Sequence, residues 1–383
     1  MALSTAAPVP AAPRPARELP PVPGHHPGAD RGAPLDAAAL RRVLVVRADN
    51  AGDVVTATPA LRALRHFAPH AEVDLLTSPA GAAVTPLVPG LHEVITVSPS
   101  WQQLTCRPTD TDVEERRVVA TLRARNYDTM VVLTSYSQSP WPVAHIGLLA
   151  GIGTRVVHSR EFGGAVATHW VTPPPETTHV VDRSLHLLAS VGVPPRGAVP
   201  RLRVPDADDA AAGRLVGPAP YALLVPGATC SSRRYPAARF GRVAALVAAT
   251  GLPVRVSGTP AESALVTEVV AAAGHPQVTA LEPVPMPVFG GVVRRASVAI
   301  TNNSGGMHIA DALGTPVAVT YAGTERVGDA RPRAVPAAVL GVPVPCSPCR
   351  QLQCPFDLQC LDVTPERVAA AAVELARPRK DRP

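Results

Sequence analysis

A carboxylate stands where open α/β sheets place their ligands, which is where a parallel strand ends and a helix begins. Residues 49–53, DNAGD, follow a β-branched run and precede a helical pattern. In this loop Gly52 permits a positive φ, and Asp53 offers a carboxylate of the kind used for proton transfer. An Asp here is also typical of a helix cap. The loop lacks G-x-G-x-x-G spacing, which disfavours a dinucleotide-dependent dehydrogenase.

A second loop has the composition of a diphosphate site. Residues 225–236, VPGATCSSRRYP, combine a Pro-Gly turn, small hydroxyl side chains including Thr229, and the pair Arg233 and Arg234. Backbone N–H groups, hydroxyls and a guanidinium that converge on one loop suit a diphosphate. The alternative is a surface turn carrying two solvated arginines.

A third loop joins a strand to a helix that runs to Gly314. Residues 301–308, TNNSGGMH, contain Gly305 and Gly306. A Gly-rich loop at a helix N-terminus exposes unpaired N–H donors and the positive end of the helix dipole, which together favour phosphate. The competing interpretation is that the glycines only satisfy the turn.

Four of the six cysteines cluster near the C-terminus, with two, four and five residues between successive members: Cys346, Cys349, Cys354 and Cys360. This spacing could supply thiolates to zinc or an iron–sulfur cluster. Free or structural thiols are the first prediction, because disulfides are rare in a reducing compartment. A structural metal is the second.

The elements that position these loops form two successive βα series. Apolar β-branched runs alternate with helical patterns, which predicts parallel sheets covered by helices. We expect an α/β protein of two Rossmann-like domains facing a central cleft. The predicted divisions are a Pro/Ala-rich disordered tail at 1–40, a first domain at 41–200, a linker at 201–218, a second domain at 219–363 and a C-terminal helix at 364–377.

Composition limits the function classes. The 383 residues are 46% hydrophobic and 17% charged, with a net charge of +6. The arginines are scattered and no aromatic residues interleave them, which argues against nucleic-acid binding. No apolar run reaches the ~18 residues of a membrane span. We expect a cytoplasmic protein whose membrane contact is at most peripheral; the oligomeric state is left open.

The three loops, in this order, resemble glycosyltransferase family 9, the heptosyltransferase family. The family's N-terminal signature is a strand, a basic residue, a Gly-Asp loop and a T-x-P-A-L-R-A-L-like helix, which here reads VVRADNAGDVVTATPALRALR. The resemblance covers residues 41 to 376. It continues through LLTSPAGAAVTPLVPGLHEVI, PGA…RRYPAARF, VSGTPAE and TNNSGGMHIADALGTPVAV.

The resemblance implies a GT-B fold and an inverting, metal-independent transfer of a heptose or related sugar from an ADP-sugar, with no required cofactor. It also implies site residues. Asp53 would deprotonate the acceptor hydroxyl, Arg233 would neutralise the departing ADP, and Glu262 would hold ribose hydroxyls, although a helix-start Glu also has a purely structural explanation. Backbone donors to the diphosphate, with His308 nearby, would be Ser304, Gly305, Gly306 and Met307.

One departure from the family pattern bears on the donor. The commoner loop reads N-D-[ST]-G-P-M-H, whereas this chain has Asn303 and Gly306 at the Asp and Pro positions. The change removes a carboxylate near the nucleotide, although Asn can still donate and accept hydrogen bonds.

The partner implied on the acceptor side is a glycan, a glycolipid or a small molecule, and lipopolysaccharide core is the family's best-known acceptor. The resemblance also implies that loops of the first domain bind it, and residues 134–142 and 159–170 are the candidates. Two alternatives remain: a nucleotide-sugar 2-epimerase of the same layout, and a non-catalytic nucleotide-sugar-binding subunit. Retention of Gly52, Asp53 and the arginine pair argues against the subunit.

Overall fold

The first half of the chain forms a six-stranded parallel sheet. The structure, a computed structural model, describes residues 32–102 and 111–377. Strands run β3-β2-β1-β4-β5-β6 across this sheet. Their bounds are β1 Arg42–Arg47, β2 Glu72–Thr77, β3 Val94–Thr96, β4 Thr129–Val132, β5 Thr154–His158 and β6 His169–Val171. The helices are α1 Ala51–Phe67, α2 Pro79–Ala82, α3 Thr111–Ala124, α4 Trp141–Leu149 and α5 Val180–Ala189.

The second half repeats this architecture, with strand order β12-β11-β10-β7-β8-β9. The strands are β7 Ala222–Val225, β8 Val254–Val256, β9 Val278–Ala280, β10 Val298–Asn302, β11 Val317–Thr320 and β12 Ala337–Leu340. The helices are α6 Asp206–Val216, α7 Ala237–Ala248, α8 Ser263–Ala273, α9 Met286–Arg295, α10 Gly305–Leu313, α11 Val327–Ala330 and α12 Pro365–Ala376. The two parallel sheets with covering helices confirm the predicted α/β fold.

Both sheets consist largely of short apolar strands that are buried on both faces. The central strand β1, RVLVVR, is fully buried after its first residue, and β10, VAITN, is buried throughout. Such strands need helices on both faces. Helix α12 packs against the second sheet and α7.

The two halves meet through helix α1. Its apolar face packs against α5 of the first half and α10 of the second, within one continuous hydrophobic core. At the edge of this contact Arg333 binds the Asp182 carboxylate through both terminal nitrogens, at 2.8 and 2.9 Å. The carboxyl ends of both sheets consequently face the same space.

The predicted tail and the predicted linker both contain ordered residues. Residues 1–31 of the predicted tail lie outside the described residues, but Leu35 donates its N–H to the Val191 carbonyl and Leu40 is buried. The predicted linker at 201–218 contains helix α6, whose Asp209 pairs with Arg294 and Arg295 of α9. Acidic residues in the first turn favour this helix despite the surrounding Pro and Gly.

Within the part of the chain that the structure describes, no helix is both long enough and apolar enough to cross a membrane.

Candidate active site

A cleft of about 380 Å³ lies at the carboxyl ends of the two sheets. The segments that line it follow β1, β4, β6, β7, β10, β11 and β12. Eight of the predicted site residues face this space: Gly52, Asp53, Thr229, Arg233, Asn303, Ser304, Gly305 and His308. The tertiary fold therefore brings all three predicted loops to one cavity.

Asp53 is held in the cleft by an ion pair and by a cap. Arg47 Nη2 donates to one carboxylate oxygen at 2.6 Å, and the Asn50 N–H donates to the other at 3.3 Å. The guanidinium is 1% exposed, whereas the Asp53 side chain is 31% exposed to the cleft. Asp53 therefore both caps the start of α1 and presents a fixed, accessible carboxylate to the cleft.

Arg47 also holds a second carboxylate that sequence reasoning did not single out. Its Nε lies 3.2 Å from an Asp49 oxygen, and Gln138 donates to the other Asp49 oxygen. Burial raises the pKa of Asp49 above its ordinary value, and Asp53 adds to this effect, while Arg47 opposes it. Ser135 accepts from Arg47 Nη2 at 2.8 Å.

The prediction for Gly52 was wrong in its physical reason. Gly52 lies in the first turn of α1 and does not have a positive φ. A Cβ added there would lie 2.8 Å from His308 Cδ2 and 3.2 Å from Gly305 Cα. Glycine is needed because the start of α1 closely approaches the start of α10 across the cleft.

His308 is neutral at this approach. Burial lowers its pKa to about 4, and the nearby Asp53 only partly offsets that effect. An uncharged imidazole can accept or donate a hydrogen bond in the cleft without adding a positive charge.

Arg233 faces a carboxylate from the loop after β11. Its Nε donates to the Thr324 hydroxyl at 3.0 Å, and its Nη2 lies 3.6 Å from Glu325. Asn303 donates to the other Glu325 oxygen at 3.2 Å. Burial raises the pKa of Glu325, and Arg233 lowers it. Glu325 thus supplies a carboxylate beside position 303, although position 303 itself is not an Asp. The Asn303 amide complements the Glu325 carboxylate better than a second carboxylate would.

The backbone donors at the third loop are fewer than predicted. The Ser304 N–H donates to the Asn302 carbonyl at 2.8 Å, and the Met307 N–H to the Ser304 carbonyl at 3.1 Å. Met307 is fully buried in the core. Among the described residues, the N–H groups of Gly305 and Gly306 have no partner, so these two remain as donors at the start of α10.

Four of the predicted residues lie outside the cleft lining: Gly306, Met307, Arg234 and Glu262. Arg234 is exposed and donates to the Ala228 carbonyl at 3.0 Å. Glu262 accepts from the N–H and hydroxyl of Thr259, each at 2.9 Å, and its carboxylate lies against Gly227. Glu262 therefore caps its turn, next to the second loop.

The four clustered cysteines line a separate cavity of about 280 Å³ behind the second loop. Their thiols are free, and burial raises the pKa of Cys360. No three His, Cys, Asp or Glu side chains in the described ranges converge as metal ligands would. The same segment contributes Arg350, Gln351 and Leu352 to the active-site cleft.

Comparison with known proteins gives consistent matches over most of the chain. The model of glycosyltransferase family 9 (heptosyltransferase) matches residues 115–359. Lipopolysaccharide heptosyltransferase 1 of Pseudomonas aeruginosa is 24% identical over 325 residues, which cover 82% of this chain and 88% of that protein.

Solved structures share the fold. The ADP-heptose lipopolysaccharide heptosyltransferase II of E. coli superposes with a TM-score of 0.71 at 20% identity, covering 88% of this chain and 98% of its own. The E. coli heptosyltransferase WaaC with ADP-2-deoxy-2-fluoro heptose gives 0.62 at 20% identity, covering 79% and 93%.

Proposed function

The chain belongs to glycosyltransferase family 9 and is a heptosyltransferase-type glycosyltransferase, and we propose that it moves a heptose or related sugar from an ADP-sugar to an acceptor hydroxyl, with inversion and without a metal ion. The observation that carries the proposal is the placement of Asp53 and Arg233 in one cleft, on loops from opposite sheets. A base and a cation on opposite walls suit a displacement between them.

Asp53 is proposed as the general base. An inverting displacement needs a base within hydrogen-bond reach of the attacking hydroxyl, on the face opposite the leaving diphosphate. Arg47 and the Asn50 N–H fix the orientation of the carboxylate. Its exposure to the cleft leaves it accessible to an acceptor.

The leaving diphosphate is proposed to lie between Arg233 and the start of α10. The free N–H groups of Gly305 and Gly306 and the dipole of α10 attract anions. Arg233 adds a full positive charge. These groups can stabilise the charge that develops on the diphosphate, which is the work that a metal ion does in other transferases.

ADP is proposed as the nucleotide because a solved structure with the same fold contains an ADP-heptose analogue. The test is thermal stabilisation by matched ADP-, UDP- and GDP-sugars, because a ligand that binds only the native state raises the melting temperature. We expect the ADP-sugar to give the largest shift. A larger shift with a UDP- or GDP-sugar would overturn the ADP assignment.

Transfer itself is tested by nucleotide release in the presence of EDTA, across a panel of glycan, glycolipid and small-molecule acceptors. We expect ADP release that depends on an acceptor and persists in EDTA, with the opposite anomeric configuration in the product. Nucleotide release without an acceptor would indicate an epimerase or a hydrolase. Loss of release in EDTA, restored by added Mg²⁺, would overturn metal independence.

A further inference from the structure

A second pocket opens off the active-site cleft on the side of the first sheet. Its volume is about 330 Å³. It is lined by residues 136–140 and 158–161, with Arg183 of α5 and Arg350. Apart from His158, these stretches belong to the two segments that the sequence suggested for acceptor binding. The pocket shares Tyr136, Ser137, Gln138, Arg183 and Arg350 with the cleft.

Arg183 is a buried cation without a carboxylate partner among the described residues. Arg183 is only 7% exposed, and within the described residues its buried Nε has no hydrogen-bond partner. Burial, together with the nearby Arg160 and Arg47, lowers its pKa to about 10, so it remains charged at neutral pH. A buried charge left unpaired destabilises the fold.

Arg155, a buried arginine with a structural role, provides a comparison for Arg183. It is also 7% exposed, but its guanidinium donates to backbone carbonyls of four residues: Ile152, Gly153, Ala165 and Val166. Such bonds satisfy the side chain within the fold. Within the described ranges Arg183 makes no comparable bonds, and it lines the pocket instead.

The pocket around Arg183 carries an excess of positive charge. Arg160 and Arg350 also line it, against one acidic residue, Glu161. Arg350 stacks over the Tyr136 ring, 4.1 Å from its centroid, and its charge therefore stays at the pocket wall. Glu176, an acid outside the pocket lining whose charge raises the pKa of Arg183, lies 3.9 Å from Arg326. Three guanidinium groups converge on a cavity with little compensating charge.

We propose that this pocket binds an anionic group of the acceptor, a phosphate or a carboxylate, with Arg183 as the buried anchor. The assignment to the acceptor rests on the proposed transferase function. Gln138 lines both cavities and donates to Asp49, which shares Arg47 with Asp53. An acceptor anchored in the pocket would therefore lie on the Asp53 side of the cleft, away from the proposed diphosphate site.

The test measures anion binding without transfer. Inorganic phosphate is titrated into the full-length protein saturated with ADP, so that the proposed diphosphate site is already filled, and acetate is titrated in parallel. We expect Arg183→Met to weaken binding of the preferred anion at least ~10-fold, because charge-assisted hydrogen bonds are lost. Preference for phosphate over acetate, or the reverse, identifies the group. Arg214→Gln, an exposed arginine on α6, is the matched control and should bind as the wild type.

Stability provides a second readout. Removal of an unpaired buried charge should leave the melting temperature of Arg183→Met equal to or above that of the wild type, whereas loss of a structural arginine would lower it. Unchanged phosphate and acetate binding in Arg183→Met, or a large loss of stability, would overturn the proposal. If transfer from the ADP-sugar is observed while anion binding does not depend on Arg183, only the anion pocket fails and the transferase proposal stands.

Discussion

Arg47 organises the first wall of the cleft by joining two carboxylates through one fully buried guanidinium. Burial alone would lower its pKa, but Asp49 and Asp53 raise it above the ordinary value. The two carboxylates differ in exposure: the Asp49 side chain is 9% exposed and the Asp53 side chain is 31% exposed. Both side chains line the cleft, and Asp53 is the more accessible of the two.

The first prediction concerns Asp53→Asn. We expect the variant to keep its fold and its ADP binding while turnover falls ~10²-fold or more, the usual contribution of a general base. Turnover is measured as acceptor-dependent ADP release, and ADP binding by calorimetry. Asp36→Asn, far from the cleft, is the control. Turnover within a few-fold of the wild type would remove Asp53 from the role of base.

Glu325 opposes the charge of Arg233, and its removal should strengthen binding of anions. We expect Glu325→Gln to bind ADP about 2- to 10-fold more tightly, because the variant no longer places a negative charge beside the diphosphate site. Calorimetric titration with ADP checks this, with the exposed Glu268→Gln on α8 as control. Weaker ADP binding would mean that Glu325 supports the nucleotide through a direct contact instead.

The neutral state of His308 predicts sensitivity to acid. Its folded-state pKa of about 4 lies below the ordinary 6.5, so the unfolded chain binds more protons between these values. The free energy of unfolding should therefore fall as pH decreases from 6.5 towards 4. In His308→Gln this slope should be shallower, and in the exposed His66→Gln unchanged, as measured by urea unfolding at a series of pH values. An equal slope in His308→Gln would contradict the assignment.

At the scale of elements, the end of β10 holds the second and third loops together. Asn302 is fully buried, and its amide oxygen accepts from the Tyr235 N–H and the Thr320 hydroxyl, each at 2.9 Å. Its amide nitrogen donates to the Pro226 carbonyl at 2.7 Å. One side chain therefore joins β10, β11 and the loop that carries Arg233.

Loss of these bonds should affect stability and the site together. We expect Asn302→Ala to lower the free energy of unfolding by about 2–4 kcal/mol, because several buried groups lose their partners. ADP affinity should fall as the loop after β7 loses its anchor. Urea unfolding and ADP titration measure the two effects. Gln277→Ala, at an exposed amide residue outside the cleft lining, serves as the control. A loss of less than about 1 kcal/mol in Asn302→Ala would contradict the anchoring role.

At the scale of the whole molecule, the active site depends on how closely α1 approaches α10. Gly52→Ala adds a Cβ at this contact and should displace the two helix starts. Alanine in a helix is favoured over glycine by up to about 1 kcal/mol, and this gain opposes the cost of the new contact. The free energy of unfolding should therefore change little. We expect turnover to fall at least ~10-fold because Asp53 moves relative to the proposed diphosphate site.

The matched control is Gly328→Ala in α11, where an added Cβ meets no other atom. Turnover and thermal unfolding are compared for both variants. Full activity in Gly52→Ala would show that the halves tolerate a wider separation and that the close approach is not needed for transfer.

Local patterns were sufficient for the parallel sheets covered by helices and for the three loops, because apolar periodicity and turn residues act over a few positions in the chain. Those loops supplied Asp53, Arg233 and Gly305 to one cleft, as expected of strand ends in parallel sheets. The roles of these residues remain predictions.

The tertiary structure alone decided which isolated side chains complete the site. Arg47 meets Ser135 from 88 positions away, and Arg233 meets Thr324 from 91. Arg183 and Glu325 belong to no motif; their significance comes from burial and from the charges that face them. Even at position 52, which the sequence singled out, glycine is needed because the two halves are in contact there, and not because of the backbone conformation. Local sequence does not show such features because steric exclusion and electrostatics act through space.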